Sequence, residues 1–108
     1  KNMPVFITQQ LSINTGAFTG NAYITKQGRL VTIQYSGMDA NNNYTNFATL
    51  PDWAYPLHQV AGIVFTMDQN YHTYSAGALQ ISTSGSMTVQ SSIGYGYAQF
   101  TVTYVTAS

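Results

Sequence analysis

Residues 59–67 read QVAGIVFTM and are apolar at both their odd and their even positions. That pattern is typical of a strand buried on two faces. We therefore expect this stretch to be the central strand of the core. The segments on either side of it hold the single Trp, both His and two of the three Asp of the chain. These flanking segments are the first place to look for a functional site.

Strand-forming residues dominate the rest of the chain. Tyr, Val, Ile and Phe supply most apolar positions, and no window shows a capped 3.6-residue period. Further strands are predicted at residues 5–13, 21–25, 29–35, 78–83, 86–90 and 97–105, with a long exposed loop at 36–46. On the last strand, Phe100, Val102 and Tyr104 share one face, and Thr101 and Thr103 the other. So many short strands predict an all-β antiparallel fold, either a β-sandwich or a jelly-roll-like barrel.

Length and charge exclude several classes of protein. The 108 residues fit one domain spanning 1–108. Only 6% of residues are charged and the formal net charge is zero, which argues against a nucleic-acid partner. No apolar run approaches the roughly 20 residues that span a bilayer, so we expect no membrane role. Because the chain starts at Lys1 without an initiator Met, we expect it to be the C-terminal fragment of a longer protein.

Residues 50–58 are predicted to be an ordered connection outside the sheet. The prolines in Leu50-Pro51 and Tyr55-Pro56 hold the preceding residue extended and cannot donate a ladder hydrogen bond. This connection carries Trp53 beside Asp52, an aromatic platform next to a hydrogen-bond acceptor.

Aromatic rings and neutral or acidic polar groups are the residue types that bind sugars. A ring stacks on the C–H face of a sugar while amides, carboxylates and imidazoles contact its hydroxyls. The candidate ligand-binding residues are Asp52, Trp53, His58, Asp68, Tyr71, His72 and Tyr74. For Trp53 a structural role, plugging one end of the sandwich, is an equally weighted alternative, and for Tyr55 packing is favoured.

Catalytic and metal sites lack the residues they need. His58 and His72 are separated by a whole strand, which is not a metal-ligand spacing. The run from Asp39 begins like a calcium loop, but Tyr44 stands where Gly is required and Leu50 where Glu is required. The chain has no Glu, no Cys and no G-x-S-x-G motif, so glycosidase, thiolate and hydrolase chemistry are disfavoured. We expect a non-catalytic protein without a metal or cofactor.

Four short motifs stand out in the chain: GRLVTI at 28–33, the Leu50-Pro51 to Pro56 connection, GALQISTSGSMTV at 77–89 and FTVTY at 100–104. Together they resemble the C-terminal head domains of phage receptor-binding proteins, especially from phages of lactococci, streptococci and related Gram-positive hosts. The resemblance covers about residues 20 to 105. Those heads often carry Gly-Tyr-Arg where this chain has Trp53-Ala54-Tyr55, so no role of that Arg is transferred.

The resemblance implies a β-sandwich head that forms a homotrimer at the distal tail or baseplate of the virion. Such a head recognises host cell-wall polysaccharide outside the cell and joins other tail or baseplate proteins through a preceding N-terminal part. Its binding residues are usually a Trp or other aromatic with His, Asp and Arg, and the matching types here are Trp53, His58, Asp68 and His72. The alternative is a structural trimerisation or decoration module of a viral fibre or capsid that binds no sugar.

Overall fold

A computed structural model describes residues 6–13, 18–39, 45–68, 74–90 and 96–107. Within these ranges the chain forms eight strands and one 3-10 turn, and no helix is long and apolar enough to cross a membrane. The strands are β1 (Phe6–Leu11), β2 (Phe18–Gln27), β3 (Leu30–Asp39), β4 (Thr45–Thr49), β5 (Val60–Asp68), β6 (Tyr74–Ile81), β7 (Ser86–Gln90) and β8 (Gly96–Val105), and the 3-10 turn is Asp52–Ala54.

All eight strands join one antiparallel sheet in the order β1-β2-β3-β8-β5-β6-β7-β4. Four strands separate β3 from β4 in this order, yet the rings of Tyr35 on β3 and Phe47 on β4 lie 4.9 Å apart. Both rings also contact Phe100 on β8, at 5.4 and 5.5 Å. The sheet therefore curls over on itself into a barrel-like form. The predicted all-β antiparallel fold is confirmed.

Alternation along each strand separates the core from the outer surface. On β8 the side chains of Phe100, Val102 and Tyr104 are buried, while Thr101 and Thr103 are exposed, as the sequence predicts. On β3 the same alternation buries Val31, Ile33 and Tyr35. Each fully buried aliphatic side chain contributes roughly 1.5–3 kcal/mol of transfer free energy, so these inner faces provide most of the stability.

The prediction that residues 59–67 are buried on two faces is wrong. Val64 and Thr66 point into the core, but Ile63 is 71% exposed and Phe65 is 42% exposed. An antiparallel sheet buries one face only unless another layer covers the second. Among the described residues no helix covers the outer face of β5, and its apolar side chains remain on the surface.

The predicted loop at 36–46 is also wrong over all of its described part, which lies in strands. β3 continues to Asp39 because each residue from Ser36 onward pairs with β2 on one side and β8 on the other. β4 begins at Thr45 and brings Phe47 into the core. Polar side chains weaken strand propensity only slightly, and two ladders of hydrogen bonds outweigh that preference. Residues 40–44 lie outside the described residues.

Gly85 occupies a position that other residues cannot adopt without strain. Its φ is +89°, and a Cβ at this position would lie 2.4 Å from Cε1 of Tyr55. Its carbonyl accepts a hydrogen bond from the Leu50 N–H at 2.8 Å. The turn between β6 and β7 is thereby joined to the connection that precedes β5.

We expect Gly85→Ala to lower the free energy of unfolding by at least about 2 kcal/mol, because strained backbone and a ring clash add together. Gly28→Ala is the matched control: Gly28 also has positive φ, +61°, but nothing lies within 4 Å of a Cβ there. This control should cost about 1 kcal/mol. Urea denaturation of both variants measures the difference, and equal losses would show that Tyr55 does not constrain Gly85.

Candidate functional site

Residues 51–57, here called the plug, close one end of the barrel. Pro51 and Tyr55 are extended and flank the 3-10 turn, which is held by a hydrogen bond from Ala54 N–H to the Pro51 carbonyl at 2.9 Å. After the turn, the Leu57 N–H donates to Val105 O, and Tyr55 O accepts from the Ala107 N–H, both at 3.0 Å. The expected order of this connection is confirmed, but it is not wholly outside the sheet, because Pro56 forms an isolated antiparallel bridge with Thr106.

The predicted sugar platform, Trp53, belongs to this plug. Its side chain is half-buried and packs against the core. Its carbonyl accepts a hydrogen bond from Nζ of Lys26 at 2.8 Å, and Lys26 is only 8% exposed. Next to it, the hydroxyl of Tyr104 donates to the Ala54 carbonyl at 2.7 Å. These contacts favour the structural role of Trp53, a plug at the end of the barrel, over that of an open platform.

The seven candidate residues do not form one cluster. Asp52 and His58 are exposed at the plug end, before β5 starts. Asp68 is the last residue of β5 and Tyr74 the first of β6, so both lie at the opposite end. Nine residues of β5 span about 26 Å, too far for a single sugar site to include both ends. Asp52 and His58 therefore cannot share one sugar site with Asp68 and Tyr74.

The remaining candidates, Tyr71 and His72, lie outside the described residues. The backbone register brings Asp68 near Asp39. Asp68 pairs with Gly96 on one side of β8, and Asp39 pairs with the same Gly96 on the other. Asp68 thus stands two strands from Asp39 and a strand length away from Asp52.

A groove of about 740 Å³ crosses the outer face of β2, β3, β8 and β5. It is lined by Asn21, Tyr23, Gln34, Tyr35, Ser36, Ile63, Phe65, Gln99, Phe100 and Thr101. The register explains why the exposed lining residues meet: one row of partners runs Asn21, Ser36, Gln99 and Phe65, and the next row contains Tyr23, Gln34 and Thr101. Directly paired residues of antiparallel strands point to the same face.

The groove combines a polar floor with apolar walls. Amides and hydroxyls of β3 and β8 form the floor, Tyr23 of β2 stands on one side at 46% exposure, and Ile63 and Phe65 of β5 stand on the other. Nε2 of Gln10 on β1 donates to Oδ1 of Asn21 at 3.3 Å, which holds that amide at the edge of the groove. Such a surface can stack against a ring and exchange hydrogen bonds with neutral polar groups.

Sequence reasoning missed every residue of this groove. The signal was available in two places: the outward positions in the middle of β8 and β3 are polar, and β5 carries bulky apolar residues on both faces. The second feature was interpreted as double burial, whereas in a single antiparallel sheet it indicates an exposed apolar strip. Tyr23 of β2 and Phe65 of β5 lie on the two sides of the groove only because of the pairing register among strands that are distant in sequence.

Within the described ranges, no three His, Asp or Glu side chains are grouped closely enough to hold a metal ion. The sequence matches no protein-family model, and comparison with curated proteins gives no significant match. The short motifs quoted above thus remain the basis of the likeness to phage head domains.

Burial raises the pKa of the Tyr104 phenol above its ordinary value. The folded protein therefore holds the phenol proton more tightly than the unfolded chain does. The contribution of Tyr104 to the free energy of unfolding is complete below about pH 10 and declines as the pH rises past that value. We expect Tyr104→Phe to cost about 1–3 kcal/mol at neutral pH, since the Ala54 carbonyl loses its donor.

The difference in stability between wild type and Tyr104→Phe should shrink above about pH 10. Denaturant unfolding at several pH values measures it. Tyr23→Phe, which removes a hydroxyl from an exposed ring, is the matched control and should stay within about 0.5 kcal/mol of wild type. If the difference in unfolding free energy between wild type and Tyr104→Phe stays constant across the alkaline range, the raised pKa does not belong to Tyr104.

Proposed function

We propose that this domain is a non-catalytic saccharide-binding head of a phage receptor-binding protein, which attaches the virion to host cell-wall polysaccharide. The groove on the outer face of β2, β3, β8 and β5 is the observation that carries the proposal. We place the binding site in this groove, and not at the plug or at the end of the barrel where Asp68 and Tyr74 lie. The motif resemblance supports the viral context, with the head at the distal tail or baseplate and acting outside the host cell.

The chemistry of the groove suits sugar rings. A pyranose has an apolar C–H face, which packs on Tyr23 or Phe65, and a rim of hydroxyls that both donate and accept hydrogen bonds. The amides of Gln34 and Gln99 offer a donor and an acceptor each. Shallow sites with aromatic walls and a few directional polar groups bind neutral polar ligands without needing a charged partner.

The dimensions suit an oligosaccharide rather than one sugar. Four adjacent strands are separated by three spacings of about 4.8 Å, so the floor is about 14 Å wide from β2 to β5. A short stretch of polymer can therefore lie across the strands and contact both walls. One such site binds weakly, and several heads on one particle raise the overall avidity.

We expect Tyr23→Ala to weaken binding to cell-wall polysaccharide about tenfold, because an aromatic contact contributes roughly 1–1.5 kcal/mol. Titration calorimetry with polysaccharide extracted from lactococcal and streptococcal strains measures this. Gln27→Ala is the matched control, because Gln27 is exposed on the same strand and lies outside the groove. It should leave affinity unchanged.

Two results would contradict this assignment. If Asp52→Ala and His58→Ala abolish binding while Tyr23→Ala binds normally, the site is at the plug end. If the wild type releases shorter fragments from the same polysaccharide, the domain is a hydrolase and the non-catalytic proposal fails.

We also propose that the head is a homotrimer. A second exposed apolar patch supports this, formed by Leu30, Leu57 and Val105. Leu30 and Val105 are direct partners on β3 and β8, the Leu57 N–H donates to Val105 O, and each side chain is about half exposed. Clusters of exposed apolar side chains on a small domain mark contact surfaces. Because the formal net charge of the chain is zero, charge repulsion between copies is small.

The exposure of Ile63 favours a second candidate, a structural trimerisation or decoration module that binds no sugar. In that case the apolar wall of the groove would be the contact between protomers. The two candidates place the subunit interface on different surfaces, and this difference can be tested directly.

Sedimentation velocity should detect a trimer for the wild type. The double variant Leu30→Gln/Leu57→Gln should sediment as a monomer, because it removes apolar area from the proposed contact. The control Ile63→Gln should remain a trimer and lose affinity for polysaccharide. If Ile63→Gln is instead the variant that dissociates, the groove is an interface and the structural module is the better account.

A further inference from the structure

We infer that the groove selects uncharged glycans and discriminates against anionic ones. This inference rests on the proposed function and specifies its ligand class. It follows from the residues that line the groove and from the positions of the basic side chains elsewhere in the domain.

Among the described residues, the lining of the groove consists of amides, hydroxyls, aromatic rings and one isoleucine, and includes no charged side chain. A carboxylate, sulfate or phosphate placed there would lose hydration without gaining an opposite charge. An unpaired charge moved to a partly desolvated surface pays a penalty that a neutral hydroxyl avoids. The composition of the lining thus favours a ligand with no net charge.

The basic groups of the described residues are engaged elsewhere. Nζ of Lys26 lies inside the barrel and donates to Trp53 O at 2.8 Å. The Arg29 guanidinium lies at the plug end, where Nη2 donates to Thr106 O at 2.8 Å. Neither residue lines the groove. The third basic residue of the chain, Lys1, lies outside the described residues.

Two amides are placed to contact adjacent hydroxyls of one sugar. Gln34 pairs with Thr101, and Gln99 pairs with Ser36, so the two glutamines are diagonal neighbours on β3 and β8. Diagonal neighbours on one face are about 7–8 Å apart at their origins, and long side chains reach across that distance. An amide offers N–H to one hydroxyl oxygen and its own oxygen to another O–H, so a neutral diol uses both of its polar groups, whereas an anionic group uses the N–H alone.

A panel of matched glycans tests this selectivity. The neutral probes are maltoheptaose, cellohexaose and β-galactan fragments together with neutral cell-wall polysaccharide, and the anionic probes are polygalacturonate fragments, hyaluronan fragments and teichoic acid. We expect binding only among the neutral probes. Their affinity should stay constant from about 0.01 to 1 M salt, over which the Debye length falls from about 30 to 3 Å.

Variants then connect the selectivity to the groove. Gln34→Ala and Gln99→Ala should each weaken binding of the best neutral probe about three- to tenfold, as expected for one or two lost hydrogen bonds. Gln34→Lys should weaken the neutral probe and give measurable, salt-sensitive binding of an anionic one. Gln27→Lys, the matched control on the outer face of β2, should produce neither effect.

The outcomes separate this inference from the proposed function. If the wild type prefers an anionic probe, with affinity that falls steeply as salt rises, the inference is overturned and saccharide binding stands. If a neutral probe binds equally well to Gln34→Ala and Gln99→Ala, the groove is not the selective site and the inference also fails. If the folded wild type binds neither class, the proposed function fails.

Discussion

The contact of three aromatic rings, Tyr35, Phe47 and Phe100, is the interaction on which the architecture depends. These rings come from β3, β4 and β8, and β4 lies at the far end of the sheet from β3. Without this contact the same hydrogen-bond ladders could form a flatter sheet with its apolar face in water. The rings bring the two halves of one sheet together, and burial of the aliphatic residues around them follows from that closure.

Closure of the sheet gives its inner and outer faces different roles. The inner positions are apolar and the plug covers one end of them, with Lys26 and Tyr104 satisfying the carbonyls of Trp53 and Ala54. The outer positions in the middle of β3 and β8 then need not contribute packing, and they carry amides and hydroxyls, such as those of Gln34 and Gln99. Binding is therefore proposed for the surface that contributes least to stability, where residues can change without cost to the core.

The sequence predicted the class of fold and much of the alternation. The faces of β8 and the bounds of β7 could be predicted because alternation and turn residues are local signals. β4 could not, since Thr45–Thr49 is polar apart from Phe47 and Ala48, and its pairing with β7 is a long-range contact. The site was predicted at Trp53 by residue type, but residue type does not reveal burial. The groove depends on the register among four strands, and no short motif encodes that register.

The first strand, β1, lies at an edge of the sheet, and its register partners within the described residues all belong to β2. A strand held along one side can detach at a fraction of the cost of global unfolding. Its amides should then exchange with solvent sooner than those of β3 or β8, and the exposed side of β2 would accept the equivalent strand of another copy. The edge thus gives this small domain a route to domain swapping in which Leu11 is a core side chain exchanged between copies.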